Sequence, residues 1–378
     1  MRRLVGIGFD HMHMGDQLRT AAAEPRVSLV GAIDTDAARM REVCQAVGLG
    51  DLAQVSDFAQ VDAALDAWRP DVAVVCSTTA QHQVWVERLT ARGAAVLLEK
   101  PFGPDLTSVD AMIEMAHVHD TAVGVNWPLA WYPTHRTAYR LVSEGAIGAV
   151  SEVHFYDGNR GPLFHLHDKI EVTPTEQDKA GSWWYSAAAG GGSLLDYLGY
   201  GTTLGTWFRS GELPLSVTAT THVAPGLEVD EQSIVVAAYP SGLSSFHTRW
   251  GTFTDPWNHL TQPRSGFVLV GTHGTVSSFD YDRHVTLQDS THLDGLEVPV
   301  DALAPEVSTG LSAMLHHLDT GEPLDGPMST EIGRTGQLMV DAAQLSAAAG
   351  ARVEITVDGP RLPKTQGSRR DQQLMPNR

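Results

Sequence analysis

Cysteine is nearly absent from this sequence, which has only Cys44 and Cys76 among 378 residues. A disulfide framework needs several regularly spaced cysteines, so this class of small secreted fold is not indicated. Cys76 lies inside an apolar, strand-like run, and we expect both side chains to be packing residues of the interior. The cysteine content therefore favours a reducing compartment.

Long apolar runs are also missing. No segment approaches the roughly 18 apolar residues that a membrane-spanning helix needs. The apolar stretch before Asp10 is too short for the hydrophobic region of a secretory signal. We therefore expect a cytoplasmic protein with no membrane partner.

Positive charge is scarce as well, because 26 Lys and Arg residues face 45 Asp and Glu residues, which gives a formal net charge of -19. Nucleic acids and anionic membranes repel such a protein. The hydrophobic content of 42% is that of a globular protein, and the length suits two domains. Small molecules remain as the expected partners.

The first 125 residues alternate short apolar runs with segments of helical period. The runs are residues 3–7, 27–33, 71–76, 94–98 and 122–125. They lack polar alternation, as parallel strands covered on both faces do. This βαβ rhythm predicts a doubly wound parallel sheet, a Rossmann domain, over residues 1–125.

After Asn126 the pattern changes to longer runs in which polar and apolar residues alternate, such as SEVHFYD, LSVTATTHV and QSIVVAAYP. Alternation of this kind indicates a mostly antiparallel sheet with one open face. We assign residues 126–357 to an α/β domain for substrate binding and oligomerisation. The polar segment 358–378 has no apolar periodicity and is predicted to be a flexible tail.

Gly6 and Gly8 follow the first predicted strand, where a dinucleotide places its pyrophosphate on a glycine turn and a helix N-terminus. His11 stands where a G-x-G-x-x-G pattern has its third glycine. If Gly8 is counted first, Asp10 and His13 take the later positions. The fingerprint is degraded either way, and a tight strand-to-helix turn is the alternative explanation.

The cluster Asp10-His11-Met12-His13 stands where a glycine would let the backbone approach the pyrophosphate closely. His11 or His13 donating a hydrogen bond to a phosphate would compensate for that loss. We therefore include Asp10, His11 and Met12 among the expected cofactor contacts.

Asp34 ends the second predicted strand, 26 residues after Gly8. This is close to the position of the acidic residue that accepts hydrogen bonds from the adenosine ribose. A carboxylate there repels a 2′-phosphate, so NAD is favoured and NADP is less expected. The alternative is that Asp34 or Asp36 caps the following helix.

Several segments in register resemble the glucose-fructose oxidoreductase / inositol dehydrogenase family, Gfo/Idh/MocA. They are VCSTTAQH, VLLEKPF, GVNWPLAWYP, EGAIG, AGGGSLLDYLGY, VGTHGTV and TGEP, spread between residue 3 and about residue 357. The resemblance implies an NAD-binding Rossmann domain followed by an α/β domain whose open sheet buries a face in a homodimer or homotetramer. It also implies a cis peptide bond between Lys100 and Pro101.

Hydride transfer at a carbinol carbon needs a group that handles the hydroxyl proton and another that orients the oxygen. The Glu99-Lys100-Pro101 segment stands at the end of a predicted strand. The resemblance makes Lys100 a catalytic residue that contacts both the substrate and the cofactor, and it places Glu99 beside the cofactor. Without the resemblance, Lys100 would be read as a surface lysine.

Asp196 and Tyr200 are four residues apart, so they lie on one face of a predicted helix that follows Gly190–Gly192. Many relatives have histidine at the second position, whereas this chain has tyrosine, as in the glucose-fructose oxidoreductase and dimeric dihydrodiol dehydrogenase branches. The resemblance implies that Tyr200 moves the proton, assisted by the charge of Lys100, and that Asp196 binds a substrate hydroxyl. An acidic N-terminal helix residue and a core tyrosine are the alternative.

The resemblance also implies positions near the cofactor and substrate to which it assigns no chemical step. Ser77, Thr78, His82 and Asn126 are expected near the cofactor, and Trp127 near the nicotinamide and substrate. A structural role is the alternative for His82. The basic residue that usually follows the asparagine is missing, which alters the predicted substrate pocket.

His165, His167 and Asp168 form a cluster in which the two histidines share one face of an extended segment. Because the family generally needs no metal for hydride transfer, we expect the histidines to contact substrate and expect no metal site here. Trp184 offers an aromatic face to the C–H surface of a sugar ring, and core packing is its alternative.

These observations predict an NAD(H)-dependent oxidoreductase acting on a hydroxyl-bearing carbon of a sugar, polyol or related small molecule. Two alternatives stay open. One is an enzyme that oxidises its substrate only transiently, so that an adjacent bond is eliminated or hydrolysed. The other is a ligand sensor on the same scaffold, which the altered glycine loop favours.

Overall fold

The first third of the chain forms a six-stranded parallel sheet in a computed structural model that describes residues 1–363. Its elements are β1 (Arg2–Ile7), α1 (His13–Ala23), β2 (Val27–Ile33), α2 (Ala37–Ala46), β3 (Gln54–Val55), α3 (Val61–Trp68), β4 (Val72–Val75), α4 (His82–Thr90), β5 (Ala95–Glu99), α5 (Leu106–Val118) and β6 (Val123–Asn126). The strand order is β3-β2-β1-β4-β5-β6. All four residues of β4 and all five of β5 are buried, which explains their uninterrupted apolar sequences.

The remaining described residues build a ten-stranded sheet and its helices. The elements are α6 (Pro133–Ser143), β7 (Val150–Asn159), α7 (Glu176–Gly181), α8 (Ser193–Phe208), β8 (Ser216–His222), β9 (Gln232–Tyr239), β10 (Gly242–Trp250), β11 (Gly266–Gly271), β12 (Gly274–Phe279), β13 (His284–Asp289), β14 (Leu296–Pro299), α9 (Gly310–Thr320), α10 (Thr330–Ala349), β15 (Val353–Thr356) and β16 (Gly359–Arg361). The strand order is β14-β13-β12-β11-β7-β10-β9-β8-β15-β16, and only β7 with β10 is a parallel pair among these strands.

One face of the second sheet is open, as alternation in β9 shows. Val235 and Ala237 are buried, whereas Ile234 and Val236, which alternate with them along the strand, are 45% and 38% exposed. The predicted fold class, a doubly wound parallel sheet joined to an α/β unit with a large, mostly antiparallel sheet, is confirmed. Association through the open face stays a prediction.

Helix α8 lies in the interior, and every residue from Ser193 to Phe208 is buried. Its glycines allow this close packing. A Cβ on Gly199 would lie 2.6 Å from the Trp127 ring, and one on Gly201 would lie 2.4 Å from the Phe155 ring. The helix is therefore held in a fixed position between the end of the parallel sheet and the second sheet.

Helix α9 departs from the predicted division of the chain. Its residues Leu311, Met314 and Leu315 share a buried cluster with Leu4 and Met14 of the first sheet and its first helix. The boundary at residue 126 stays a prediction, but α9 packs on the unit that precedes this boundary.

The start of segment 358–378 is not a flexible tail as predicted. It contains β16, which pairs with β15. Residues 364–378 lie outside the described part of the chain. Among residues 1–363, no helix combines the length and the apolar character needed to cross a membrane.

Candidate active site

The glycine turn after β1 packs tightly against the end of β4. Gly8 has φ +75°, and a Cβ there would lie 2.6 Å from the backbone nitrogen of Ser77. A side chain at this position would have to displace backbone, so only glycine suits the turn. Gly6 has a packing role, since a Cβ there would lie 3.0 Å from Leu18 of α1. Thr78 follows Ser77 and is half-buried.

Asp34 is buried at the end of β2, and its carboxylate has several hydrogen-bond donors within the protein. It accepts hydrogen bonds from the backbone amides of Phe9 and Asp36, and Arg39 approaches its two oxygens at 2.9 and 3.0 Å. The cap of α2 is Asp36, which accepts from the Arg39 amide at 3.0 Å. The capping alternative thus applies to Asp36, and Asp34 instead ties the glycine turn to α2.

A groove of about 520 Å³ opens beside this turn. It is lined by Gly8, Asp10, Asp34, Thr35, Phe58, Gln81, Val84 and Trp85. Arg39 also pairs with Asp10 at 3.0 Å. Burial is the main cause that raises the pKa of Asp10, and the Arg39 charge opposes the shift. The groove lies beyond the carboxyl ends of the strands, where doubly wound sheets bind nucleotides.

His11, His13 and Glu99 meet between the glycine loop and the end of β5. The His13 Nδ1 lies 3.0 Å from the Glu99 Oε1, and the His11 Nε2 lies 4.0 Å from the same oxygen. Burial, with the nearby His13 next in importance, lowers the pKa of His11 well below its usual value. Met12 separates the two histidines, and its half-buried side chain lines the adjoining cavity.

Lys100 follows Glu99 through the end of β5, and its peptide bond to Pro101 is cis. The ammonium group is buried and pairs with the carboxylate of Asp196. It also faces the rings of Trp184, Tyr197 and Tyr200, with distances of 5.4, 5.7 and 5.6 Å to the centroids. The cation is thus enclosed by one carboxylate and three aromatic faces.

Asp196 is oriented from a second side by Trp250, whose indole N–H donates to Oδ2 at 3.2 Å. Tyr200, one turn further along α8, packs edge-on against Trp127 with a centroid distance of 5.5 Å. Burial, followed by the charge of Glu99, raises the pKa of the Tyr200 phenol well above 10. This direction is opposite to the predicted assistance of Tyr200 ionisation by Lys100, because burial and the nearby charges of Glu99 and Asp196 favour the protonated phenol.

These side chains border a cavity with about 760 Å³ of open space. The predicted residues that line it are His11, Met12, Lys100, His165, Trp184, Asp196 and Tyr200. Trp127 instead lies in the core beneath Tyr200, and His167 packs on α1, where a Cβ on Gly15 would lie 2.9 Å from it. The structure therefore does not bring Trp127 and His167 into the wall of the cavity, contrary to the substrate-contact prediction.

His165 and Trp184 occupy one side of the cavity. The His165 ring meets Trp257 edge-on at 4.8 Å, and burial lowers the pKa of His165 to about 4. Trp184 stacks on Trp183 at 3.9 Å and touches the edge of His11. Asp168 turns away from His165 and pairs with Arg19 of α1.

Asn126 and His82 brace the loop that carries Lys100. The Asn126 amide donates to Glu99 Oε2 at 3.4 Å, and its oxygen accepts from the Trp131 indole at 3.1 Å. His82 is buried, with Nδ1 3.1 Å from the carbonyl oxygen of Phe102. Burial lowers the pKa of His82. These contacts favour the structural alternative for His82.

Sequence reasoning missed most of the far wall of the cavity, which includes Tyr132, Asp157, Asn159, Asp280 and Tyr281. Burial, and then the Asp280 charge, raises the pKa of Asp157 well above its usual value. No spacing signal could have found this wall, because β7 and the end of β12 are far apart in the chain and come near each other, on either side of β11, only in the folded sheet. Tyr197, next to Asp196, was also missed and lines the same cavity.

Two family descriptions match the sequence. Residues 3–127 match the oxidoreductase family with an NAD-binding Rossmann fold, and residues 135–277 match the GFO/IDH/MocA C-terminal domain. Together the two matches span most of the chain, and they cover the parallel sheet and the part of the second sheet from β7 to β12.

Solved structures agree with this assignment at the level of fold. An oxidoreductase from Agrobacterium radiobacter, in complex with NAD+, L-tartaric acid and magnesium, has a TM-score of 0.72 and 18% identity, covering 93% of this chain and 98% of its own. The aldose-aldose oxidoreductase from Caulobacter crescentus, complexed with glycerol, has a TM-score of 0.72 and 18% identity, covering 94% and 100%. A protein described as a myo-inositol dehydrogenase of Sinorhizobium meliloti 1021 has a TM-score of 0.67 and 18% identity, covering 94% and 100%.

The predicted resemblance and the predicted cofactor, NAD, are both confirmed by the matching descriptions. From its two matched regions and its two-sheet fold, the chain belongs to the Gfo/Idh/MocA family of oxidoreductases, whose first domain is an NAD-binding Rossmann fold.

Proposed function

We propose that this protein transfers a hydride between NAD(H) and a hydroxyl-bearing carbon of a sugar, polyol or related small molecule. One observation carries the proposal. The buried Lys100–Asp196 pair and Tyr200 line a single cavity at the carboxyl edge of the parallel sheet. This juxtaposition supplies a cation, a hydrogen-bond acceptor and a phenol to the same small volume.

The residues around the glycine turn fit a dinucleotide. Because Gly8 has no side chain, the backbone of the turn packs directly on Ser77. The groove beside this turn extends to Asp34. Gly8 and Asp10 would hold the nucleotide near its phosphates, Asp34 near the ribose, and Glu99 and Lys100 near the nicotinamide end. The bound nicotinamide supplies a hydride acceptor or donor.

Lys100 and Tyr200 would have different roles at the substrate oxygen, one electrostatic and the other in proton transfer. The Lys100 ammonium attracts electron density on that oxygen, and Asp196, itself fixed by Trp250, keeps the ammonium in place. The raised pKa of Tyr200 keeps the phenol protonated at neutral pH. In the direction of carbonyl reduction, Tyr200 therefore donates its hydroxyl proton to the developing alkoxide.

The cavity wall suits a polyhydroxylated ligand. Aromatic faces of Trp184 and Tyr197 can cover C–H surfaces, while Asp157 and Asn159 offer hydrogen-bonding groups to hydroxyls. Relatives of the same fold were crystallised with glycerol and with L-tartaric acid, which are small hydroxylated molecules. These features support a sugar or polyol as the substrate class.

A panel of sugars and polyols, incubated with NAD+ or NADH, tests the proposal. Nucleotide absorbance and product composition are measured in the same samples. We expect stoichiometric change of nucleotide and substrate. Substrate conversion without net nucleotide change would instead indicate transient oxidation, and binding of nucleotide and sugar without conversion would indicate a sensor.

A further inference from the structure

His11, His13 and Glu99 bring three metal-ligating atoms together at the mouth of the cavity. Atoms that can ligate a metal, one from each residue, lie within 4.8 Å of one another, and among residues 1–363 this is the only group of three His, Cys, Asp or Glu side chains so placed. The group differs from the cluster of His165, His167 and Asp168, at which we expected no metal. It arises because His11 replaces glycine in the nucleotide loop.

The polar atoms of this group are incompletely satisfied. The His11 side chain is 2% exposed, and its Nε2 is buried without a hydrogen-bond partner. His13 Nδ1 and His11 Nε2 both approach the Glu99 Oε1, at 3.0 and 4.0 Å. An unpaired buried nitrogen costs free energy unless a ligand satisfies it.

We propose that His11, His13 and Glu99 bind one Zn²⁺ ion, with its fourth ligand position facing the cavity. Two imidazole nitrogens and one carboxylate oxygen form the donor set of an open zinc site. Ligand bonds of about 2.0–2.1 Å place tetrahedral ligand atoms about 3.4 Å apart. The His13–Glu99 and His11–Glu99 distances of 3.0 and 4.0 Å lie on either side of this value, and the two histidine nitrogens lie within 4.8 Å of one another. Side-chain movements of about 1 Å therefore bring the three atoms into place.

The surroundings support the site. The Asn126 amide holds the second oxygen of Glu99 at 3.4 Å, which orients the carboxylate as an outer-shell partner does. The His13 side chain is 26% exposed, so an ion can enter from the cavity. The nearby positive charge of Lys100 is offset by its pairing with Asp196.

Coordination has one local cost. The His11 Nδ1 accepts a 3.2 Å hydrogen bond from the His13 backbone amide, and a neutral ring that binds Zn²⁺ through Nε2 carries its proton on Nδ1. That hydrogen bond is then lost. The amide belongs to the first residue of α1 and has no carbonyl partner within the helix, so water or a ligand oxygen can take its place.

Metal binding is measured on the full-length protein after treatment with a chelator and without nucleotide or sugar. Zn²⁺ alone is titrated in competition with a chromophoric chelator. We expect one equivalent to bind with a Kd of about 1 μM or lower. Co²⁺ in place of Zn²⁺ should give the visible absorption of a tetrahedral complex. Since neither readout involves turnover, failure of this proposal is distinct from failure of the proposed reaction.

The variant His13→Ala removes the most exposed of the three ligands. We expect its Zn²⁺ affinity to fall about 100-fold, and the stabilisation of the folded protein by Zn²⁺ to disappear. His154→Ala is the matched control, because His154 also lies 3.0 Å from a glutamate, Glu152, but has no third ligand. Its affinity should be unchanged. Equal affinity in His13→Ala and wild type, or less than one equivalent bound to wild type, would overturn the proposal.

Discussion

Tyr200→Phe separates the proposed chemistry from the packing of the same side chain. The ring of Tyr200 meets Trp127 edge-on at 5.5 Å and is 5% exposed, so phenylalanine keeps the buried surface. Among residues 1–363, no side chain or backbone group forms a hydrogen bond with the Tyr200 hydroxyl, so its removal leaves no partner unsatisfied. The free energy of unfolding should therefore change by less than about 1 kcal/mol.

Activity should respond very differently. Proton transfer by a positioned side chain contributes about 10²-fold to 10⁴-fold, so kcat for carbonyl reduction should fall about 10²-fold or more. Affinity for NAD should be nearly unchanged, since the hydroxyl faces the substrate cavity. Steady-state kinetics at the NADH absorbance band and calorimetric titration of NAD measure the two quantities.

Tyr239→Phe is the control for this experiment. Tyr239 is also buried, but its hydroxyl contacts Met339 at 3.5 Å in the core of the second unit. Its replacement should leave kcat unchanged. A near-normal kcat in Tyr200→Phe would remove Tyr200 from the mechanism and refute the assignment of the proton donor.

The pH dependence follows from the same phenol. Because burial raises the pKa of Tyr200 well above 10, the phenol remains protonated as the pH rises from about 7 to about 9. Reduction, which uses the protonated form, should be nearly independent of pH in this range. Oxidation, which uses the phenolate, should accelerate about tenfold for each pH unit. Opposite profiles would contradict a tyrosine with a raised pKa.

Three further changes test other parts of the structure. Arg39 lies 2.9 Å from the Asp34 carboxylate, and Asp34→Ala frees it to bind a 2′-phosphate. The ratio of NADP affinity to NAD affinity should therefore rise about tenfold or more in calorimetric titration. An unchanged ratio would exclude Asp34 from cofactor selection. Lys100→Met and Asp196→Asn each leave a buried charge without its ionic partner, so each should lower the free energy of unfolding by about 3–5 kcal/mol. In denaturant unfolding, the double variant Lys100→Met/Asp196→Asn should lose less than the sum of the two single variants, and additive losses would show that the two charges are not coupled. Burial raises the pKa of Asp230 from 3.8 to about 7, so the contribution of this carboxyl to stability is present below about pH 4 and is lost as the pH rises towards 7. Asp230→Asn keeps the acceptor for the Leu194 amide and should be more stable than wild type at pH 8 but not at pH 4. Equal pH profiles of the two proteins in thermal unfolding would contradict the raised pKa.

The sequence predicted five of the six parallel strands, because each of the five is an apolar run without polar alternation, and it missed the two-residue strand β3. The predicted run over residues 27–33 coincides with Val27–Ile33, and the run over residues 71–76 differs from Val72–Val75 by one residue at each end. Apolar runs without alternation have a single structural explanation in a βαβ context. Helix α9 could not be placed in this way, because its sequence does not reveal which of two apolar cores it covers.

The candidate site was also predicted only in part, because some of its residues stand in short sequence motifs and others come together only on folding. Lys100, Asp196 and Tyr200 were predicted because each stands in a short motif, and the structure brings all three to one cavity. Asp157 and Asp280 were missed because only tertiary folding brings their strands to the cavity. Trp127 was predicted beside the substrate, but Gly199 of α8 lets its ring enter the core instead. Sequence spacing cannot distinguish these two positions of an aromatic ring.

Transfer of deuterium from NADH that carries deuterium at both C4 positions to a panel of aldoses, ketoses and polyol-derived ketones tests the central claim most directly. Mass spectrometry follows both the nucleotide and the products after incubation with the wild-type protein. We expect one product to gain a single deuterium at its new carbinol carbon, in an amount equal to the NAD+ formed. A protein that binds no NADH, or that converts a sugar without deuterium entering the product, would contradict hydride transfer from this nucleotide.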